Sequence, residues 1–189
     1  GPTSDDPRLL LGDYHYPAHA EIVYRREELA TDISQGTDGD FSPGPYFVDM
    51  VTPLQGIEAF ATVDCVPGCA VREDWRSGFA EALRAVRDAD VAVVCGGGRS
   101  GLLPDCTSGE FRDASDLSLT GEQTDLIREV AATGTPVVLV VLGGRAFALT
   151  EAVEHCDALV MAWLPGEEGG SALARVLFGE VNPAGRLPV

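Results

Sequence analysis

Apolar residues in this chain gather into short unbroken runs separated by polar, glycine-rich connections. Three of these runs are Val91–Cys95, Val137–Leu142 and Ala158–Trp163. Each is apolar or β-branched throughout and bounded by Gly, Pro or Asp, the pattern of strands buried on both faces of a parallel sheet. A weaker run, Thr62–Val66, contains Asp64 and predicts a fourth strand. Helical spacing fills the gaps. Thr52-Pro53-Leu54-Gln55 has capping-box spacing with proline at the first helical position. Phe79, Leu83 and Val86 form one apolar stripe that ends before Asp90. Thr120 and Gln123 have the spacing of a second capping box, opening a helix with Leu126, Ile127 and Val130 inward and stopped by Gly134 and Pro136. Leu173, Val176 and Leu177 mark a last helix, closed by Gly179.

Strands alternating with helices predict a three-layer α/β/α sandwich with a mostly parallel sheet. In such sheets ligands bind at the loops leaving the carboxyl ends of the strands. That rule places Gly96–Gly101, and the chain beyond it through Gly109 and Glu110, at the functional edge. The connection from Cys95 to Leu119 is long for a strand-to-helix loop, and long connections in compact domains are frequently functional. Residues 12–50, polar and aromatic and then glycine-rich, read as a long surface excursion with a flexible tip.

The length, 189 residues, suits one domain with a single sizeable core, here residues 1–189. No apolar run approaches the roughly 18 residues of a membrane-spanning helix. The net charge of −17 argues against nucleic acid or an anionic membrane as partner and suits a neutral substrate. Of the five cysteines, Cys65 and Cys69 have passable metal spacing, but no second pair follows, so no zinc site is expected. Cys65 and Cys95, in strand-like runs, read as small core residues.

The candidate chemistry lies in Ser108-Gly109-Glu110-Phe111-Arg112-Asp113. A carboxylic acid in a polar loop between a strand and a helix is well placed for proton transfer. Phe111 would raise the pKa of Glu110 by desolvation, and Arg99 or Arg112 nearby would lower it. Asp105 and Asp113 are rival carboxylates. Gly96–Gly101 lacks the order and the lysine of a phosphate-binding loop, so its glycines are expected to let the backbone turn beneath a ligand or another domain. His15 and His19 lack a Ser or Cys partner for a triad, and Arg145 suits either a ligand or a loop. Trp163 reads as core, and Glu167 and Glu168 as acidic residues favoured by a helix N-terminus.

Taken in order, these segments resemble the second, α/β-sandwich domain of family 3 glycoside hydrolases, the β-glucosidase and β-xylosidase group. The resemblance rests on Gly1–Arg8 with Leu11–Pro17, on Ala89-Asp90-Val91-Ala92-Val93-Val94, on Ser108–Gln123, and on Trp163–Gly170 followed by Val176–Gly179 and Asn182–Pro188. The chain departs from the family pattern at Gly98, Ala114, Leu119–Gly121 and Ala146, and none of these replaces the glutamate.

The resemblance implies a retaining β-glycosidase that removes terminal non-reducing β-D-glucosyl residues, with Glu110 as general acid/base. Arg99, Ser100 and Asp105 are the residues expected to line the outer cleft. The nucleophile would be an aspartate on a preceding (β/α)8 barrel domain of the same polypeptide, so the chain is expected to be a fragment, truncated at both ends and inactive alone. The partners implied are that barrel and a β-linked glucoside or oligosaccharide, with no metal or organic cofactor. A β-xylosidase or other family 3 exo-glycosidase, and a non-catalytic carbohydrate-binding or scaffold domain, are the alternatives.

Overall fold

The structure, a computed structural model, describes residues 1–15 and 48–187. Most of the expected excursion, with His19, lies outside the described residues. Three strands, β1 (Ala92–Gly97), β2 (Val137–Leu142) and β3 (Ala158–Trp163), form a parallel sheet in the order β1-β2-β3. They are the three apolar runs of the sequence, except that β1 leaves out Val91, which is exposed, and extends through Gly96 and Gly97, expected in the loop. Among the described residues, five α-helices surround them: α1 (Pro53–Glu58), α2 (Phe79–Arg87), α3 (Gln123–Ala131), α4 (Thr150–Val153) and α5 (Gly169–Leu177), preceded by a 3-10 turn at Pro7–Leu10.

The strand period of two divides the core between the sheet's faces. Val137, Leu139 and Val141 of β2 pack with Phe79 and Ala82 of α2, Leu126, Ile127 and Val130 of α3, and Ala152 of α4. Val140, flanked by Val138, points to the other face with Cys95 and meets Leu173 and Leu177 of α5. Helices on both faces of the sheet make the three-layer sandwich. β2 is central, and Leu139 through Leu142 are fully buried. A stacked pair, Phe60 and Phe178, with ring centroids 4.8 Å apart, joins the ends of α1 and α5.

Thr52 caps α1 as its spacing predicts, its hydroxyl accepting from the Gln55 amide while the Gln55 side chain accepts from the Thr52 amide. The second expected box does not form. Helix α3 begins only at Gln123, without a side-chain cap, because both box residues are engaged elsewhere: Thr120 donates to the Val71 carbonyl and Gln123 turns to β1. The fourth strand is also absent. Thr62–Val66 runs beside β1 without pairing, separated from it by a cavity of about 240 Å³ lined by residues of both segments. The N-terminal residues take up part of that edge instead: the Gly1 amine donates to the Val66 carbonyl and the Thr3 amide to the Cys95 carbonyl. Pro67, which has no N–H, ends the segment. As a result Cys65, expected in the core, is exposed, whereas Cys95 is buried as expected.

Candidate functional site

The carboxyl ends of the strands carry a loop that folds back on itself. It starts at Gly97, whose φ of +132° is open to glycine and whose missing Cβ would lie 1.7 Å from the Leu142 carbonyl oxygen. The next amide, Gly98, donates to that same carbonyl. Arg99 and Thr107 then tie the loop's two limbs together. The Thr107 hydroxyl accepts from the Arg99 amide at 2.9 Å, and the Thr107 and Ser108 amides both donate to the Arg99 carbonyl. Gly101 donates to the Ser108 carbonyl at 3.0 Å, completing a parallel bridge between Ser100 and Ser108. Arg72 braces the outside by donating to the carbonyls of Pro104 and Cys106, and Arg112 does the same at Leu102, 2.8 Å away.

Glu110 leaves this closed frame at its tip. Gly109 before it has φ +121°, and a Cβ there would lie 2.4 Å from the Gly101 carbonyl oxygen. Phe111 after it has φ +60°, an unusual value for a bulky side chain. Glu110, between these two turns, is exposed. Phe111 is 81% exposed. The Glu110 amide donates to Asp13 Oδ2 at 3.1 Å.

The remaining predicted residues occupy different layers. Arg99 lies largely beneath the surface, its guanidinium 4.0 Å from the Asp6 carboxylate. Ser100 is 2% exposed, and its hydroxyl donates to Asp13 Oδ1 at 3.4 Å. Asp105 is half-buried on the same loop, and Asp113 is exposed beyond Glu110. Ser108 Oγ is buried without a hydrogen-bond partner among the described residues. A Cβ added at Gly144 would stand 3.3 Å from both Ser100 Oγ and Ser108 Oγ, so the β2 loop passes directly beneath the two hydroxyls. Arg145 stacks on Phe147, 5.2 Å from the ring centroid. Trp163 is half-buried at a β-bulge, with φ +55°, and Glu167 and Glu168 precede α5 as expected. His15 is exposed.

Three residues that support the loop are given no site role by the sequence. Arg8 is 5% exposed within the 3-10 turn and donates to the Ser100 carbonyl at 2.8 Å. Its signal in the sequence is one arginine beside three consecutive leucines. Asp13 reaches across the fold to Glu110. Gln123 accepts from the Gly97 amide at 2.7 Å and donates to the Gly97 and Val71 carbonyls, both at 2.8 Å. Burial pushes the Cys106 thiol, within the loop, above its ordinary range. Chemically, the arrangement offers one exposed carboxyl on a short rigid tip, braced from below, and no second carboxylate is hydrogen-bonded to it among the described residues.

Comparison with known proteins places the chain in a family. Residues 17–189 match the glycosyl hydrolase family 3 C-terminal domain. A periplasmic β-glucosidase of Salmonella typhimurium is 40% identical over 123 residues, covering 64% of this chain and 15% of its own length. β-D-xylosidase 1 of Arabidopsis thaliana is 38% identical over 142 residues, 73% of this chain and 18% of its own. Among solved structures, a family 3 exo-β-xylosidase in complex with a xylobiose aziridine activity-based probe superposes with a TM-score of 0.74 at 26% identity, covering 99% of this chain and 20% of that one. The chain thus spans less than a quarter of each of these relatives.

Proposed function

We propose that this chain, which belongs to the glycosyl hydrolase family 3 C-terminal domain family, supplies the general acid/base of a retaining exo-β-glycosidase, and that Glu110 is that group. The observation that carries the reading is the projection of Glu110 from a loop otherwise closed by its own hydrogen bonds, at the carboxyl edge of a parallel sheet. A proton donor that serves a substrate held by another domain needs exposure and a fixed main chain, and Glu110 combines them.

In this reading the nucleophile belongs to a (β/α)8 barrel of the same polypeptide. Its carboxylate attacks the anomeric carbon while Glu110 protonates the departing oxygen. The ionised Glu110 then takes a proton from water, which displaces the sugar from the nucleophile. Retention requires the two carboxyls to come within roughly 5–5.5 Å of each other. Domain docking sets that distance, so this chain alone has no turnover. Arg99 and Asp105 are the residues of the loop proposed to face the outer part of the substrate, and Ser100 acts from below. The residues described here call for no metal or organic cofactor in these steps.

The substrate is a terminal β-linked glucoside. β-Xylosides are the second reading, favoured by the xylosidase relative and by the xylosidase structure that superposes over nearly the whole chain. Comparing hydrolysis of p-nitrophenyl β-glucoside and β-xyloside by the full-length enzyme separates the two. For Glu110 itself, the test is leaving-group dependence. Glu110→Ala is expected to abolish most turnover of cellobiose or alkyl glycosides and to lower kcat/KM for dinitrophenyl glycosides far less, since their glycosylation step needs little help from an acid. Equal effects on both substrate types would sink the assignment.

A further inference from the structure

Asp13 and Glu110 stand 97 positions apart in the chain, yet the Asp13 carboxylate is bonded to the main chain of Glu110. Its two oxygens do different work. Oδ2 accepts the Glu110 amide at 3.1 Å, and Oδ1 accepts the Ser100 hydroxyl at 3.4 Å. Ser100 is in turn fixed from behind, since Arg8 donates to its carbonyl at 2.8 Å and also to the Leu11 carbonyl at 3.4 Å, two residues before Asp13. One short N-terminal stretch, residues 8–13, therefore brackets the loop from both sides. The arginine holds a carbonyl of one limb, and the aspartate joins that limb to the tip of the other.

The tip needs such a tie. Gly109 and Phe111 both have positive φ, so the Glu110 peptide lies between two turns and carries no helix or strand bond of its own. Among the described residues, its amide N–H is the one main-chain group of Glu110 bonded to a side chain, and rotating that peptide would re-aim the carboxyl directly. Displacement of a reacting group by about 1 Å can cost about 10²-fold in rate. We infer that Asp13 is a positioning residue: it sets the direction in which Glu110 presents its proton. This rests on the reading of Glu110 as the acid/base.

The test uses the full-length enzyme with Asp13→Ala, Asp13→Asn and Glu110→Ala, each assayed on two substrates of the same sugar, one with an alkyl and one with a dinitrophenyl leaving group. Asp13→Ala is expected to lower kcat and kcat/KM on the alkyl glycoside by about tenfold or more with KM little changed, and to lower kcat/KM on the activated substrate far less. Asp13→Asn is expected to recover most of the loss. Its Oδ1 can accept the Glu110 amide, and its amide can donate to Ser100 Oγ, which accepts as readily as it donates. If the alanine variant does not fold, Asp13→Ser, too short to reach the Glu110 amide, should show the same split. An equal loss on both substrates, an Asn variant as damaged as the Ala or Ser variant, or unchanged kinetics would overturn the inference. The two assignments separate cleanly. If Glu110→Ala itself shows no dependence on leaving group, the acid/base reading fails. If Glu110→Ala shows that dependence and the Asp13 variants do not, only the positioning role fails.

Discussion

The side-chain amide of Gln123 closes both main-chain groups of Gly97, accepting from its N–H at 2.7 Å and donating to its carbonyl at 2.8 Å. The last residue of β1 is thereby completed by a side chain from the first turn of α3, where a sheet neighbour would otherwise serve. Gln123 also donates to the Val71 carbonyl, so one buried amide joins strand, helix and the connection before α2. The loop that carries Glu110 both departs and returns at this junction.

Replacing Gln123 with leucine keeps the volume and removes every bond. Buried polar groups left unpaired cost about 1–3 kcal/mol each. Gln123→Leu is expected to destabilise this domain by about 3 kcal/mol or more, read as a fall in the denaturant midpoint of the full-length polypeptide. A loss below about 1 kcal/mol would mean that water replaces the amide at little cost.

Gly109→Ala addresses the loop tip separately from the core. The added methyl would stand 2.4 Å from the Gly101 carbonyl oxygen in a backbone conformation that side chains rarely adopt, so the tip must shift. Turnover of alkyl glycosides should fall by about 10²-fold. Stability, read from the denaturant midpoint, should fall as well, by about 1 kcal/mol or more, because alanine is strained at this φ. Wild-type kinetics in this variant would show that the tip's path is not critical.

The thiols give a pH dependence with a definite sign. Burial pushes Cys69 and Cys95 each up to about 11 from an ordinary value of 9.0. Between pH 9 and 11 the folded thiols hold protons that the unfolded chain releases, so stability falls as pH rises. Each thiol contributes about 1.4 kcal/mol per pH unit in that window. Chemical denaturation at pH 8 and at pH 10 should show the loss, and Cys95→Ala should reduce its slope. The same burial predicts that Cys65, the exposed cysteine, is the first alkylated under native conditions, which peptide mass mapping can read.

Thr52→Ala removes the α1 cap and, with it, the bond from the Thr52 hydroxyl to Asp5. The expected destabilisation is about 1–2 kcal/mol, and Thr52→Ser should restore most of it. Equal stability in all three forms would show that the box is ornamental.

These predictions depend on structure of two kinds, and only one is visible in local patterning. β1 and β2 could be read directly because a parallel strand buried on both faces must be apolar at every position, as Val137–Leu142 is, whereas β3 is as apolar in sequence but only partly buried. The Thr52 box could be read because its partners are three residues apart. The Thr120 box has the same spacing and fails because a distant group, the end of β1, competes for Gln123. Thr62–Val66 has strand-like composition, yet the N-terminal residues occupy part of the β1 edge beside it, which also brings Cys65 to the surface. The Glu110 segment stood out as a motif. Asp13 and Arg8 fell inside segments of the family resemblance, but their role as its supports was not legible, because hydrogen bonds between residues 97 and 92 positions apart leave no periodic trace.

The most direct test of Glu110 is azide rescue of Glu110→Ala in the full-length enzyme, with dinitrophenyl β-glucoside as substrate. An acid/base variant forms the glycosyl-enzyme with this substrate but hydrolyses it slowly, because no base activates water. Azide needs no such base, so it should accelerate turnover and yield β-glucosyl azide with retained configuration. No acceleration and no azide product, with steady-state rates close to those of the unaltered enzyme, would contradict the role assigned to Glu110.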